Sequence, residues 1–230
     1  PYSGGLKRNI VQCLDDFNIP LKLSHTVVKI EGKERVEGVV LAKVDENLLP
    51  IAGSEEHYSC DTLLLSVGLI PENEISKSTG ITISNITNGP VVNDSFETSI
   101  PGIFACGNVL HVHDLVDFVC EEAKAAGKQA VKYLKTSKNV SAFDIKIKTS
   151  NGVRYTVPQF INPGDMDDKV VIRFRVANIY KDMYESIYVD DRRVIHKKRQ
   201  ILAPGEMETL NIKKSDVAGA SSVLVTLEEN

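Results

Sequence analysis

Four cysteines, a closely spaced histidine pair and fifteen glycines are the residues of this chain whose types and spacing bear most directly on chemistry. Cys13, Cys60, Cys106 and Cys120 are never spaced C-x-x-C, so the chain holds neither the usual redox dithiol nor the usual zinc half-site. They read as reduced, mostly buried thiols, which fits a cytoplasmic setting. His111, His113 and Asp114 place three ligand types within four residues. On an undefined loop that spacing is a weak metal signal; solvated loop histidines are the expectation, ahead of a metal site or a proton carrier. A dinucleotide pyrophosphate needs G-x-G-x-x-G opening a helix, because only glycine lets the backbone approach the phosphates. No two glycines here are separated by a single residue, so that loop does not occur. No Ser/His/Asp or paired-carboxylate arrangement can be assembled with specificity, and the catalytic residues stay unknown.

The elements that must position these residues fall into two styles. Residues 6–18 carry Leu6, Ile10, Leu14 and Phe17 at helical spacing, after Ser3-Gly4-Gly5. Pro20 stops that helix. Extended chain with Val27, Val28 and Ile30 follows, then "ERVEGVVLAKVDE", a polar turn and "EEHYSCDTLLLSVG" as two further strands. "DTLLLSVG" is apolar nearly throughout, as a strand covered on both faces should be. Residues 71–97 are irregular, with a short strand expected in "GPVVNDSFET" and another in "GIFAC". "DLVDFVCEEAKAAGKQAVKYLKT" predicts a helix, with Asp114 or Asp117 near its start, Glu121 and Glu122 as early-turn acids, and Lys132 and Lys135 near its end.

At about residue 138 the composition changes. "SKNVSAF" reads as a linker, and seven strand-like runs follow, separated by turns such as "NPGD", "VDDR" and "APGE". In "VVIRFRVA", Ile172, Phe174 and Val176 alternate with Arg173 and Arg175, predicting one face in the core and the arginines in water. The pattern predicts an antiparallel β-sandwich of immunoglobulin-like size. The basic run 190–200 reads as a solvated strand face. A net charge of −4 with both signs mixed gives no pull toward nucleic acid, and the apolar runs are strand-sized, too short for a membrane span.

Two stretches occur in an order that carries a resemblance. "CDTLLLSVGLIPENE" (60–74) is an apolar run ending in Gly68, then Pro71 and Asn73; "ETSIPGIFACGN" (97–108) follows, then the helix with "AKAAGKQA". Here the chain resembles the FAD-dependent pyridine nucleotide-disulfide oxidoreductase superfamily, the thioredoxin reductase and NADH oxidase group, over roughly residues 1–135. The resemblance implies that Gly68 and Pro71 line the nicotinamide-side junction. It also implies that Gly107 and Asn108 touch the flavin ribityl chain, and that the helix from about Asp117 and Phe118 faces the flavin ring. The family's aspartate is Asn108 here; an amide both accepts and donates, but carries no charge.

The expected fold class is therefore α/β plus all-β: the C-terminal half of an NAD(P)-binding domain at 1–74, the C-terminal part of an FAD-binding domain at 75–137, and a β-sandwich at 138–230. Because the chain opens in mid-pattern at Pro1 and lacks both phosphate loops, it is expected to be a fragment. The parent would pass hydride from NAD(P)H to FAD and electrons onward to an unknown acceptor, with the fragment alone inactive and empty of both cofactors. A partner redox subunit and a homo-oligomer are the partners implied. The rival reading is a docking module in which the sandwich pairs through an edge strand such as "VVIRFRVA".

Overall fold

In a computed structural model, residues 7–136 and 143–229 are described. The expected linker "SKNVSAF" (137–143), except for Phe143, and the lead at Ser3-Gly4-Gly5 lie outside them. The chain divides into two compact units, 1–68 and 69–230.

The first unit holds helix α1 (Lys7–Cys13), a short 3-10 turn (Asp15–Phe17) and the strands β1 (His25–Glu31), β2 (Gly38–Lys43) and β3 (Glu56–Ser59). The strands form an antiparallel meander in the order β1-β2-β3, as the three short runs predict. Val39 and Ala42 of β2 are buried, while Phe17 of the expected helix face is 71% exposed. "DTLLLSVG" is a correction. It forms no strand, and its side chains are open: Leu64 is 89% and Val67 90% exposed. A strand covered on both faces needs a neighbour on each edge to take its N–H and C=O groups. Among the described residues no strand pairs with it.

The second unit begins with α2 (Glu74–Ser78) and a run of turns, then α3 (Val116–Thr136). "GIFAC" and "GPVVNDSFET" form no continuous strands. They contribute isolated bridges, Glu97 to Phe104, Ile83 to Pro90 and Asn93 to Phe160, so the loops are held at separate points rather than along a ladder. The strands β4 (Ile145–Thr149), β5 (Val153–Val157), β6 (Phe160–Ile161), β7 (Lys169–Val176), β8 (Tyr180–Val189), β9 (Arg192–Leu202), β10 (Glu208–Lys213) and β11 (Val223–Glu228) follow, with a single helical turn α4 (Lys214–Val217) before the last. All seven predicted runs are strands. They build two sheets, β10-β7-β5 and β6-β4-β11-β8-β9, antiparallel except where β4 meets β11 in parallel. The long excursion between those two strands lets the chain return in either direction. The alternating residues Ile172, Phe174 and Val176 meet Ile187, Val189, Val223, Val225 and Leu227 in one apolar core shared by both sheets.

Two expectations about β7 fail. It is the central strand of its sheet, so it offers no edge for pairing. Arg173 is buried, because the outer face of β7 is covered by α3 and the loop before it rather than by water. A second core joins these layers: Val92, Phe96, Ala105, Leu110 and Ala126 pack with Val157 of β5, and Ala125 and Tyr155 lie against them. The small residues of α3 let the helix approach the sheet closely.

Candidate functional site

The site is the loop 107–113 and the start of α3, backed by β7. Gly107 opens the loop at φ +71, a left-handed conformation, and a Cβ there would meet Val119 Cγ1 at 3.3 Å. A buried carboxylate fixes the position: the Gly107 N–H donates to Glu122 Oε2 at 2.9 Å. The other oxygen, Oε1, lies 2.8 Å from His111 Nε2 and 3.1 Å from His113 Nε2, and all three side chains are 0–1% exposed. Burial would raise the Glu122 carboxyl, but the neighbouring histidines, led by the hydrogen bond from His111, outweigh it and hold it at about 2. Burial lowers His111 despite its bond to Glu122, so its neutral ring donates from Nε2. Cys106, just ahead of the loop, is pushed up by burial and by Glu122, which leaves an unreactive thiol.

The C-terminal sheet supplies the other half of the site. Arg173 NH2 donates to Glu121 Oε2 at 2.7 Å, its NH1 lies 3.8 Å from Glu122 Oε1, and its guanidinium covers the Phe118 ring at 5.4 Å. Arg175 donates to the Val112 carbonyl at 3.1 Å and the Pro204 carbonyl at 2.9 Å, and stands 3.5 Å from Asp114. Asp114 in turn accepts the Met207 N–H at 3.2 Å. Two arginines of one strand thus hold the loop and the first turns of the helix. From the other side, buried Asn73 donates to the carbonyls of Asn88 at 2.9 Å and Val109 at 2.8 Å. Gly89 is pressed so close beneath Leu110 that a Cβ would meet its carbonyl oxygen at 1.8 Å.

The structure brings Gly107, Asn108, Asp117 and Phe118 together at one loop-helix junction. Asn108 and Asp117 are exposed and Phe118 is half-buried. The Asn108 oxygen accepts the His113 N–H at 3.1 Å, so its NH2 is the part presented outward. Gly68, at φ +93 with nothing within 4 Å of where a Cβ would stand, is the last residue of the first unit. The histidines are not solvated, and Glu122 is not a surface acid. Spacing along α3 carried a signal that was available: Phe118, Glu122 and Ala126 recur at intervals of four, which puts Glu122 on the packed face. Nothing local marked Arg173 or Asn73.

Comparison with known proteins gives the family. Residues 5–130 match the pyridine nucleotide-disulphide oxidoreductase family model, and the chain belongs to that family of oxidoreductases. It is similar to an NADH oxidase of Methanocaldococcus jannaschii, 32% identical over 136 residues, covering 58% of this chain and 27% of that protein. An NADH oxidase of Streptococcus pneumoniae is 31% identical over 114 residues, covering 49% and 22%. A CoA-dependent NAD(P)H sulfur oxidoreductase of Pyrococcus abyssi is 29% identical over 99 residues, covering 43% and 19%. The chain spans about a quarter of the length of these relatives. Among the described residues no helix is long and apolar enough to cross a membrane.

Proposed function

We propose that this chain is part of a longer cytoplasmic NAD(P)H oxidoreductase, which passes hydride from NAD(P)H to FAD and electrons onward to a disulfide, a quinone, oxygen or a partner subunit. The observation that carries the reading is the junction at 107–118: a left-handed glycine and an outward-facing amide ahead of a 21-residue helix whose first turn is open. FAD, when bound, supplies the hydride acceptor; the protein's part is to bind and orient it. Asn108 has its oxygen engaged by His113, so its NH2 would donate to a ribityl hydroxyl. Gly107 keeps the backbone close, and the N-terminal turn of α3, with Asp117 and Phe118, would face the ring system. Gly68 and Pro71 would flank the nicotinamide side. The phosphate loops for both cofactors would come from upstream sequence, so the 230 residues alone would hold neither tightly. The two-sheet region, which we take as immunoglobulin-like, contributes Arg173 and Arg175 as braces of the flavin-facing loop. We take the working enzyme to be a homo-oligomer.

The test is the visible spectrum of the longer protein before and after anaerobic NADH. A flavin spectrum that bleaches, and FAD affinity reduced roughly tenfold in Asn108→Leu, is the expected outcome. A colourless protein that takes up no FAD would refute the reading.

A further inference from the structure

Asn108 decides where the proton sits on His113. The amide oxygen accepts the backbone N–H of His113 at 3.1 Å, and a backbone N–H can only donate, so this atom is the oxygen. The same oxygen lies 3.3 Å from His113 Nδ1. An amide oxygen has no proton to give, so Nδ1 carries one, and in the neutral ring Nε2 is a bare lone pair. That Nε2 has no hydrogen-bond partner and faces Glu122 Oε1 at 3.1 Å, with both side chains 0–1% exposed. Two lone pairs at that separation repel. A positive species between them removes the conflict.

The third corner makes the species more specific. His111 Nε2 converges on the same oxygen at 2.8 Å, and the three atoms lie within 4.8 Å of one another; to ligate, His111 passes its Nε2 proton to Nδ1, which is buried without a partner. Ligands ~2.1 Å from a tetrahedral metal are ~3.4 Å apart. The two edges seen here, 2.8 and 3.1 Å, are shorter, so the ligands part by a few tenths of an ångström to admit the ion. We propose that His111 Nε2, His113 Nε2 and Glu122 Oε1 hold a divalent transition-metal ion of the zinc type.

The surroundings suit such an ion. The Asn108 oxygen on His113 Nδ1 is the outer partner that a metal-ligating histidine requires. The Gly107 N–H occupies Glu122 Oε2 and leaves Oε1 for the ion. Arg173 stands 3.8 Å from Oε1, but its other nitrogen is bound to Glu121, so two carboxylates against one guanidinium leave a net negative charge. With all three ligand side chains 0–1% exposed, no substrate could reach the ion. Its role is structural, pinning both histidines of the loop to α3 independently of any flavin.

The experiment uses this chain, free of any histidine tag, stripped with chelator and dialysed. Zinc alone is then titrated, with bound metal counted by elemental analysis and the melting temperature followed. One tightly held equivalent and a rise of several degrees are expected. Both should be lost in His113→Gln, with the circular dichroism spectrum checked for folding. Absence of a stoichiometric ion in the wild-type chain overturns the proposal, whatever the variant does. So does an equivalent retained in His113→Gln, which would place the ion elsewhere. Nitrogen-15 spectra of the metal-free protein that show a proton on His113 Nε2, with no zinc uptake, would make the positive species a proton and equally overturn it.

Discussion

Arg173→Ala is the perturbation that most directly tests how the C-terminal sheet and the helix are held together. Arg173 has a side chain 4% exposed and lies 3.8 Å from the fully buried Glu122. At an effective dielectric of about 20, that separation corresponds to ~4 kcal/mol of attraction, from which the cost of burying the guanidinium must be subtracted. The bond to Glu121 adds less than its 2.7 Å suggests, because that carboxylate is 65% exposed and water screens and replaces the arginine. Contact with the Phe118 ring adds about 1 kcal/mol in a site this dry. Removing the arginine leaves Glu122 ionised with one cationic neighbour fewer, so a loss of about 3 kcal/mol is expected for the second unit. Glu121→Ala should cost under about 1 kcal/mol, and Arg173→Met, which keeps volume without charge, about half the alanine loss. The assay is urea denaturation with amide hydrogen exchange, since a chain of two units need not unfold in one step. Protection of α3 amides should fall with the Arg173→Ala midpoint. If Arg173→Ala shifts the midpoint no more than Glu121→Ala, the attraction to Glu122 is not what joins the sheet to the helix, and the reasoning fails.

Three further outcomes follow from other parts of the structure. Glu208 is raised to about 8 by burial and by the nearby Glu185 carboxyl, against Arg199, which donates to it at 3.0 Å. Its protonated form is favoured by folding, so the stability it contributes is present below about pH 4.5 and lost as pH rises through 8; the slope should approach ~1.4 kcal/mol per pH unit in that window. Glu208→Gln should flatten the dependence of melting temperature on pH between 5 and 8, and an unchanged slope would contradict the assignment. Gly89→Ala should destabilise the second unit by at least about 2 kcal/mol, read by urea denaturation, because a Cβ 1.8 Å from the Leu110 carbonyl oxygen cannot be accommodated without moving the loop. Asn73→Ala removes two hydrogen bonds to loop carbonyls and should cost about 2 kcal/mol, with faster exchange at residues 107–113; unchanged exchange would show that Asn73 does not hold the loop.

The sequence alone determined those elements whose signal is local. The run "VVIRFRVA" alternates, and Ile172, Phe174 and Val176 are in the core; "CEEAKAAGKQAVKYL" is rich in helix formers, and α3 spans Val116–Thr136. The order of "LLLSVG", "TSIPGIFACGN" and helix is legible in the same way, and it points to the family without any geometry. Tertiary structure decided which face of each element meets water. Arg173 and Arg175 alternate with core residues just as a solvated face would, and only the packing of α3 across β7 turns that face inward. His111, His113 and Glu122 are read as polar because their types are polar; they are buried because the loop folds back on the helix and pairs them with one another. "DTLLLSVG" shows the converse. Its composition specifies a covered strand, but strand structure belongs to a sheet rather than a segment, and without paired neighbours the same residues stand open. Periodicity records what a segment can bury, and only the partner packed against it determines what it does bury.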